Sequence, residues 1–273
     1  METQYLELLH NLLTKGERRE TRSGTVYSSF GHSLHFSLDT FPLLTTKRMF
    51  WKGIVEELCW FLRGSTKVQE LRDKKVHIWD GNTEDRDYDA GPVYGFQWRH
   101  FGAPYRGCEA DYNGKGQDQI KRIIELIRND PSSRRIFLSA WNPQQQHEMA
   151  LPPCHVSYQF YVDSENKLHC QMYQRSADVF LGLPFNIAST ALLTHLIAHE
   201  CDRKPGSIRM VIGDAHLYEE HAGVAAIQAK RMPHEFPSIQ INREKDGLWG
   251  VNPSDIQLLN YKCHGTLKGK MAK

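Results

Sequence analysis

Several absences narrow the reading of this 273-residue chain before any motif is considered. Its cysteines, at positions 59, 108, 154, 170, 201 and 263, form no Cys-x-x-Cys pair and keep no regular spacing. That argues against a disulfide framework, and reduced thiols in a cytoplasmic protein are expected, with nuclear entry left open. No apolar run approaches the ~20 residues of a membrane span, and Met1-Glu2-Thr3-Gln4 begins no secretory hydrophobic segment. No glycine-rich phosphate loop of the nucleoside-triphosphate or dinucleotide kind is present. Neither sign of charge dominates, with 34 basic and 32 acidic residues and a formal net charge of +2. Such a balance offers no broad surface for a polyanion, so RNA binding has no support.

The hydrophobic fraction of 40%, with 6 Trp, 11 Tyr and 12 Phe, is that of a folded domain with a large core. Without a repeat, low-complexity tract or long linker, one domain over 1–273 is expected. Helices are read at 3–15, 49–63, 117–129 and 187–201. In the second of these, Phe50, Ile54, Leu58 and Phe61 share one face, Glu56 falls on the solvated side, and Glu57 falls on the apolar side. Strands occupy the second half: Ile136–Trp141, Val156–Val162, Leu168–Arg175 and Ile208–Ile212 alternate with period two. Asp163-Ser164-Glu165-Asn166 reads as a hairpin turn. The polar, glycine-containing stretch 77–116 is expected to form long loops. The class is therefore α+β, a single domain with a large mixed sheet covered by helices.

Chemistry concentrates around Cys154, in Leu151-Pro152-Pro153-Cys154-His155, and Arg175, in Gln174-Arg175-Ser176. The two prolines stiffen the chain before the thiol, and a nearby arginine would favour the thiolate. A buried, inert thiol is the bland alternative. Glu57 on an apolar face must be paired, hydrogen-bonded or raised in pKa. Arg22 lies in a turn-like segment, while Arg134 and Arg135 are adjacent at a strand start and point to opposite faces; with Arg175 they could hold a phosphate. Asn186 could cap the helix that follows it, or its amide could read an imide edge such as that of uracil. His216 and Tyr218 alternate with Ala215 and Leu217, which puts both on one side of an extended segment. A zinc deaminase would need a second cysteine after Cys154, and Cys154-His155-Val156-Ser157 lacks it, so no metal is expected.

Taken in order, Thr21-Arg22-Ser23-Gly24-Thr25, Phe41-Pro42-Leu43-Leu44-Thr45-Thr46-Lys47-Arg48, Ile78-Trp79-Asp80 and Gly91-Pro92-Val93-Tyr94-Gly95 resemble the thymidylate synthase family. So do Leu151-Pro152-Pro153-Cys154-His155, Phe185-Asn186-Ile187-Ala188 and Gly213-Asp214-Ala215-His216-Leu217-Tyr218. The resemblance runs from about residue 4 to 268, and Phe50-Trp51-Lys52-Gly53 looks like the eukaryotic and viral branch. It implies reductive methylation of dUMP to dTMP, with 5,10-methylenetetrahydrofolate as donor of carbon and hydride. By that resemblance Cys154 attacks uracil C6, Asn186 holds the base, and Glu57, Tyr94, His155 and Asp178 complete the catalytic group. Arg22, Arg175, Ser176 and Gln174 would bind dUMP, with His216 and Tyr218 on the sugar hydroxyl. Phe50, Ile78, Trp79, Asn82, Asp178, Leu181, Gly182 and Phe185 would form the folate side. A homodimer is implied, joined through a sheet face, with Arg134 and Arg135 crossing to the partner's site.

The chain departs from the family pattern in places. Thr190 stands where a tyrosine is usual, Cys263 and Gly265 replace two prolines, and Lys273 replaces a terminal apolar residue. A closure that admits water would turn the reaction toward a hydroxymethyl product, so a dUMP hydroxymethylase is the sister reading, and a non-catalytic nucleotide- or RNA-binding relative the more distant one.

Overall fold

The structure, a computed structural model, describes residues 2–270. Its frame is a six-stranded mixed sheet in the order β1-β2-β6-β5-β4-β3. The strands are β1 (Glu17–Thr21), β2 (Gly24–Ser37), β3 (Phe137–Ser139), β4 (His155–Val162), β5 (Lys167–Asp178) and β6 (Lys204–Tyr218). All pairings are antiparallel except β5 with β6. That parallel pair requires a crossover, which α7 (Gly182–Glu200) supplies, packed on both strands. The other helices are α1 (Thr3–Lys15), α2 (Trp51–Leu62), α3 (Gln69–Asp73), α4 (Asp80–Thr83), α5 (Tyr94–His100), α6 (Gln119–Asn129) and α8 (Ala222–Ala229). A separate hairpin joins β7 (Ser238–Ile241) to β8 (Ile256–Leu259).

Period two holds across the middle of the sheet. Leu138, Tyr158, Phe160, Met172 and Met210 are buried under the helices. Residues of opposite parity on the same strands, Phe137, Tyr161 and Tyr173, are exposed on the outer face. The amphipathic reading of α6 is matched by burial of Ile120, Ile123, Ile124 and Ile127. Asp118 caps it, accepting from Lys121 N at 2.9 Å. The 163–166 turn joins β4 to β5 as expected, with Asn166 at φ +64°.

Four expectations are corrected. β1 and β2 lie in the first half, where no strand is read. Every residue of β1 is exposed, so it carries no alternation, and Gly31 at φ +82° interrupts the pattern of β2. The 77–116 stretch is not all loop, because α5 buries Tyr94, Phe96 and Trp98, and its polar Gln97 is bonded to Pro92 O and Gln145 Oε1 at 2.8 and 2.9 Å. Glu56 is buried and paired with Lys74 at 2.8 Å; helical projection gives a face, but α3 and its C-terminal end, 18 residues on, decide what covers it. Asn186 caps nothing, since α7 begins at Gly182.

A carboxylate at a helix C-terminus opposes the helix dipole, yet α7 ends on the buried Glu200. Arg128 reaches it at 2.7 Å, Arg243 at 3.5 Å and Gly247 N at 3.2 Å. Glu200→Ala would leave the buried Arg243 without this partner and is expected to lower the unfolding free energy by about 3 kcal/mol in urea titration.

Candidate active site

Cys154 sits at the entry to β4, where the pairing with β5 is irregular between His155 and Ser157. Pro152 and Pro153 have no N–H for a ladder. Their carbonyls are instead gathered by Arg175 of β5: Nη2 donates to Pro152 O at 2.8 Å and Nε to Pro153 O at 2.9 Å. Arg175 N donates to Cys154 O at 3.0 Å, and Cys154 N donates to the Tyr94 hydroxyl at 2.8 Å. The thiol is thereby held from both sides. Burial raises its pKa, and Arg175 is the first of the influences that oppose the rise, followed by Tyr94. Arginine therefore moderates the acidity of a buried thiol and does not by itself make a resting thiolate.

The thiol opens into a cavity of about 660 Å³. The β1–β2 hairpin brings Arg22 and Ser23 to one end, which the pairing of Val26 with Tyr218 sets beside β6. Gly24 makes that turn possible, at φ +121°. Arg175, Ser176, His216 and Tyr218 line the same cavity. At its centre Gln174 Nε2 donates to Asn186 Oδ1 at 2.8 Å and to Ser176 O at 3.0 Å. Gln174 Oε1 is a buried acceptor with no partner within the described residues.

The far wall comes from α4 and the start of α7. Asp178 Oδ1 accepts from Phe180 N and Leu181 N at 2.9 and 3.0 Å, turning β5 into α7 so that Leu181, Gly182, Phe185 and Asn186 face the cavity. Ile78, Trp79 and Asn82 face them. Trp79 Nε1 donates to Glu57 Oε1 at 2.8 Å. Burial pushes the Glu57 carboxyl up to about 7, with the Trp79 bond opposing. His155, beside Tyr94, is pushed down to about 4 by burial, with Asn186 opposing, and its Nδ1 lies 3.1 Å from the Tyr158 hydroxyl. A neutral imidazole follows at physiological pH.

The cavity thus gathers Cys154, Glu57, Tyr94, His155, Asn186, Arg175, Asp178, Arg22, Gln174, Ser176, His216 and Tyr218, together with Ile78, Trp79, Asn82, Leu181, Gly182 and Phe185. Three expected residues lie outside its lining. Phe50, half exposed, precedes α2 with its ring against Gly53; Arg134 and Arg135 are exposed in the turn before β3. Arg19, Asp214 and Gly269 line the cavity without having been foreseen. Arg19 pairs with Asp214 at 3.4 Å, and Asp214 Oδ1 lies 3.3 Å from His216 Nδ1. The alternation that selected His216 and Tyr218 also selects Asp214, two residues earlier. No sequence signal marks Gly269, which arrives because the chain from 261 onward folds back. Thr190 is buried inside α7, and Lys273 lies outside the described residues. Among the described residues no group of three or more His, Cys, Asp or Glu is placed to hold a metal ion.

An unfolded Glu57 titrates near 4.5 and the folded one near 7, so the folded state binds more protons between these values and loses stability as pH rises through them. Glu57→Gln is expected to melt higher than the native protein near pH 8, the difference closing toward pH 4.5. Differential scanning calorimetry across that range measures it.

Residues 3–273 match the family described as thymidylate synthase. Human thymidylate synthase is 49% identical over 99% of this chain and 90% of its own length. The bifunctional dihydrofolate reductase-thymidylate synthases of Zea mays and Leishmania amazonensis are 50% and 49% identical over 99% of this chain. The chain spans about half the length of those bifunctional relatives, 54% and 55%. With the match extending over nearly every residue, and the motifs that carry it meeting at one cavity, the chain belongs to the thymidylate synthase family.

Proposed function

We propose that this chain converts dUMP to dTMP by reductive methylation, with dihydrofolate as the second product. One observation carries the reading: a nucleophile-bearing cavity has arginines at one end, an amide pair at its centre and an apolar wall at the other. A phosphate suits Arg22, Ser23, Ser176 and the Nη1 of Arg175, whose other nitrogens are committed to Pro152 and Pro153. The deoxyribose hydroxyl falls to His216 and Tyr218. Gln174 and Asn186 meet the imide edge of the base, and the buried, unpartnered Gln174 Oε1 is an acceptor that a ligand N–H would satisfy. Ile78, Trp79, Leu181 and Phe185 suit the flat ring system of a reduced folate.

The thiolate of Cys154 adds to uracil C6, and the negative charge reaching O4 is met by the Asn186 amide. Methylenetetrahydrofolate supplies the one-carbon unit to C5 and then the hydride that completes the methyl group. Glu57, with its carboxyl near 7, both gives and takes a proton at neutral pH, which suits relay between base and co-substrate. Tyr94, whose hydroxyl accepts from Cys154 N, would assist loss of the C5 proton. His155 is neutral and so contributes hydrogen bonding and shape, not charge. Elimination of the Cys154 thiolate releases dTMP.

A homodimer completes this reading. The outer sheet face exposes Phe137, Tyr161 and Tyr173, and Arg134 and Arg135 are exposed in the turn before β3, outside the lining of their own chain's cavity. Their task is the phosphate of the partner's site. A cytoplasmic location goes with this reading, since free cysteines suit a reducing compartment.

Incubation with dUMP and methylenetetrahydrofolate should generate dihydrofolate absorbance and a product with the mass of dTMP; hydroxymethyl-dUMP without dihydrofolate would overturn the reading. Cys154→Ala should lower kcat by at least about three orders of magnitude. Tyr161→Lys should shift the sedimentation profile toward monomer and lower activity with it, because the crossing arginines would be lost.

A further inference from the structure

We propose that Glu2 is a positioning residue for the folate side of the cavity, acting through Thr45 and Thr46 on the segment 261–270. Glu2 occupies the N-cap position of α1 but makes no side-chain cap bond. Its carboxylate turns instead to the loop before α2 and is 2% exposed there. Oε2 accepts from Thr45 N and Thr45 Oγ1, both at 2.7 Å; Oε1 accepts from Thr46 N at 3.0 Å and from Thr46 Oγ1. Four donors on one buried carboxylate set the course of two peptide units.

The opposite side of those units receives the end of the chain. Thr45 O accepts from His264 N at 2.7 Å. Arg231 Nη1 bridges Thr46 O at 2.7 Å and Gly265 O at 2.9 Å. Tyr261 donates its hydroxyl proton to Leu44 O at 2.7 Å and accepts from Met49 N at 3.0 Å. Past Gly265 the chain brings Gly269 to the cavity wall, where Lys270 O lies 2.9 Å from His221 Nε2. Cys263 and Gly265 have no ring to restrict φ, so the course of this segment depends on its bonds to the loop.

A second branch leaves the same loop. Lys47 follows Thr46, is buried, and donates its Nζ to Phe180 O while lying 4.0 Å over the Phe180 ring. Phe180 precedes Leu181 on the apolar wall. Burial pushes the ammonium down to about 8, opposed by Asp178 and then Glu2. Glu2 therefore supports the loop that holds Phe180, next to Leu181 of the apolar wall, and the segment carrying Gly269, which packs against Phe180 and His221, while Arg22, Ser23 and Ser176 are set by the sheet. This selectivity rests on the assignment of folate to the apolar end made above.

The test is Glu2→Gln in the full chain, which keeps the shape but presents an amide donor to the donors of Thr45 or Thr46. The KM for methylenetetrahydrofolate should rise about tenfold while the KM for dUMP stays unchanged. In the free protein, hydrogen exchange should quicken at amides of the 261–270 segment. Arg231→Ala, which cuts the Thr46–Gly265 bridge and leaves Glu2 in place, should raise the same KM and decides the matter if Glu2→Gln fails to fold. A lower melting temperature with both KM values and 261–270 exchange unchanged would mean that Glu2 is only structural, and would overturn the inference. Absence of dTMP formation by the native protein would instead defeat the functional reading.

Discussion

The site depends on the grip of Arg175 on the two peptide carbonyls before Cys154. Prolines at 152 and 153 cannot donate to a ladder, so that stretch cannot simply extend β4. The guanidinium provides the donors, and the Arg175 backbone ties β5 to Cys154 itself. Burial raises five thiols in this chain, Cys108 and Cys154 among them, and pushes Cys59, Cys170 and Cys201 up to about 12. Cys154 differs in opening on a cavity beside a cation that is locked in place. Replacing Arg175 would therefore disturb geometry and charge together.

Around that grip, the parallel pairing of β5 and β6 organises the cavity. A parallel pair needs a crossover, and the crossover helix starts where β5 ends. Arg175, Ser176, Asp178, Leu181, Phe185 and Asn186 thus reach the cavity within one short stretch. β6 adds Asp214, His216 and Tyr218 by simple alternation, and β2, paired with β6, delivers the Arg22 turn. The arginine end is built on the sheet, while the apolar wall is built from helix ends and returning chain. The two halves can therefore respond differently to substitution.

Much of this was legible. The amphipathic pattern of 117–129 predicts α6, because one element packs on one core and its stripe records that contact. The alternation at 215–218 records burial on one side of β6. Glu56 shows where such inference fails: its projection points away from the apolar stripe, yet Lys74 and its surroundings cover it. β1 was invisible for the opposite reason, since a fully exposed strand bears no burial pattern. In α5, buried Gln97 disguises a helix as polar loop, because its amide is satisfied by Pro92 and Gln145, residues distant or irregular in sequence.

The chemistry can be read from the residues alone. Residue types and their order identify a thiol, its arginine, the amide proposed to read the base and the family to which they belong, because reactivity is a property of side chains. Tertiary structure alone decided the environment. Desolvation raises Cys154 and Glu57 and lowers His155 through neighbours scattered along the chain. It also decided that Glu2 and Gly265, at opposite ends of the chain, attach to adjacent residues of one loop, Glu2 to Thr45 and Thr46 and Gly265 through Arg231 to Thr46. Burial and long-range hydrogen bonds are sums over the whole packed chain, and no local pattern contains them.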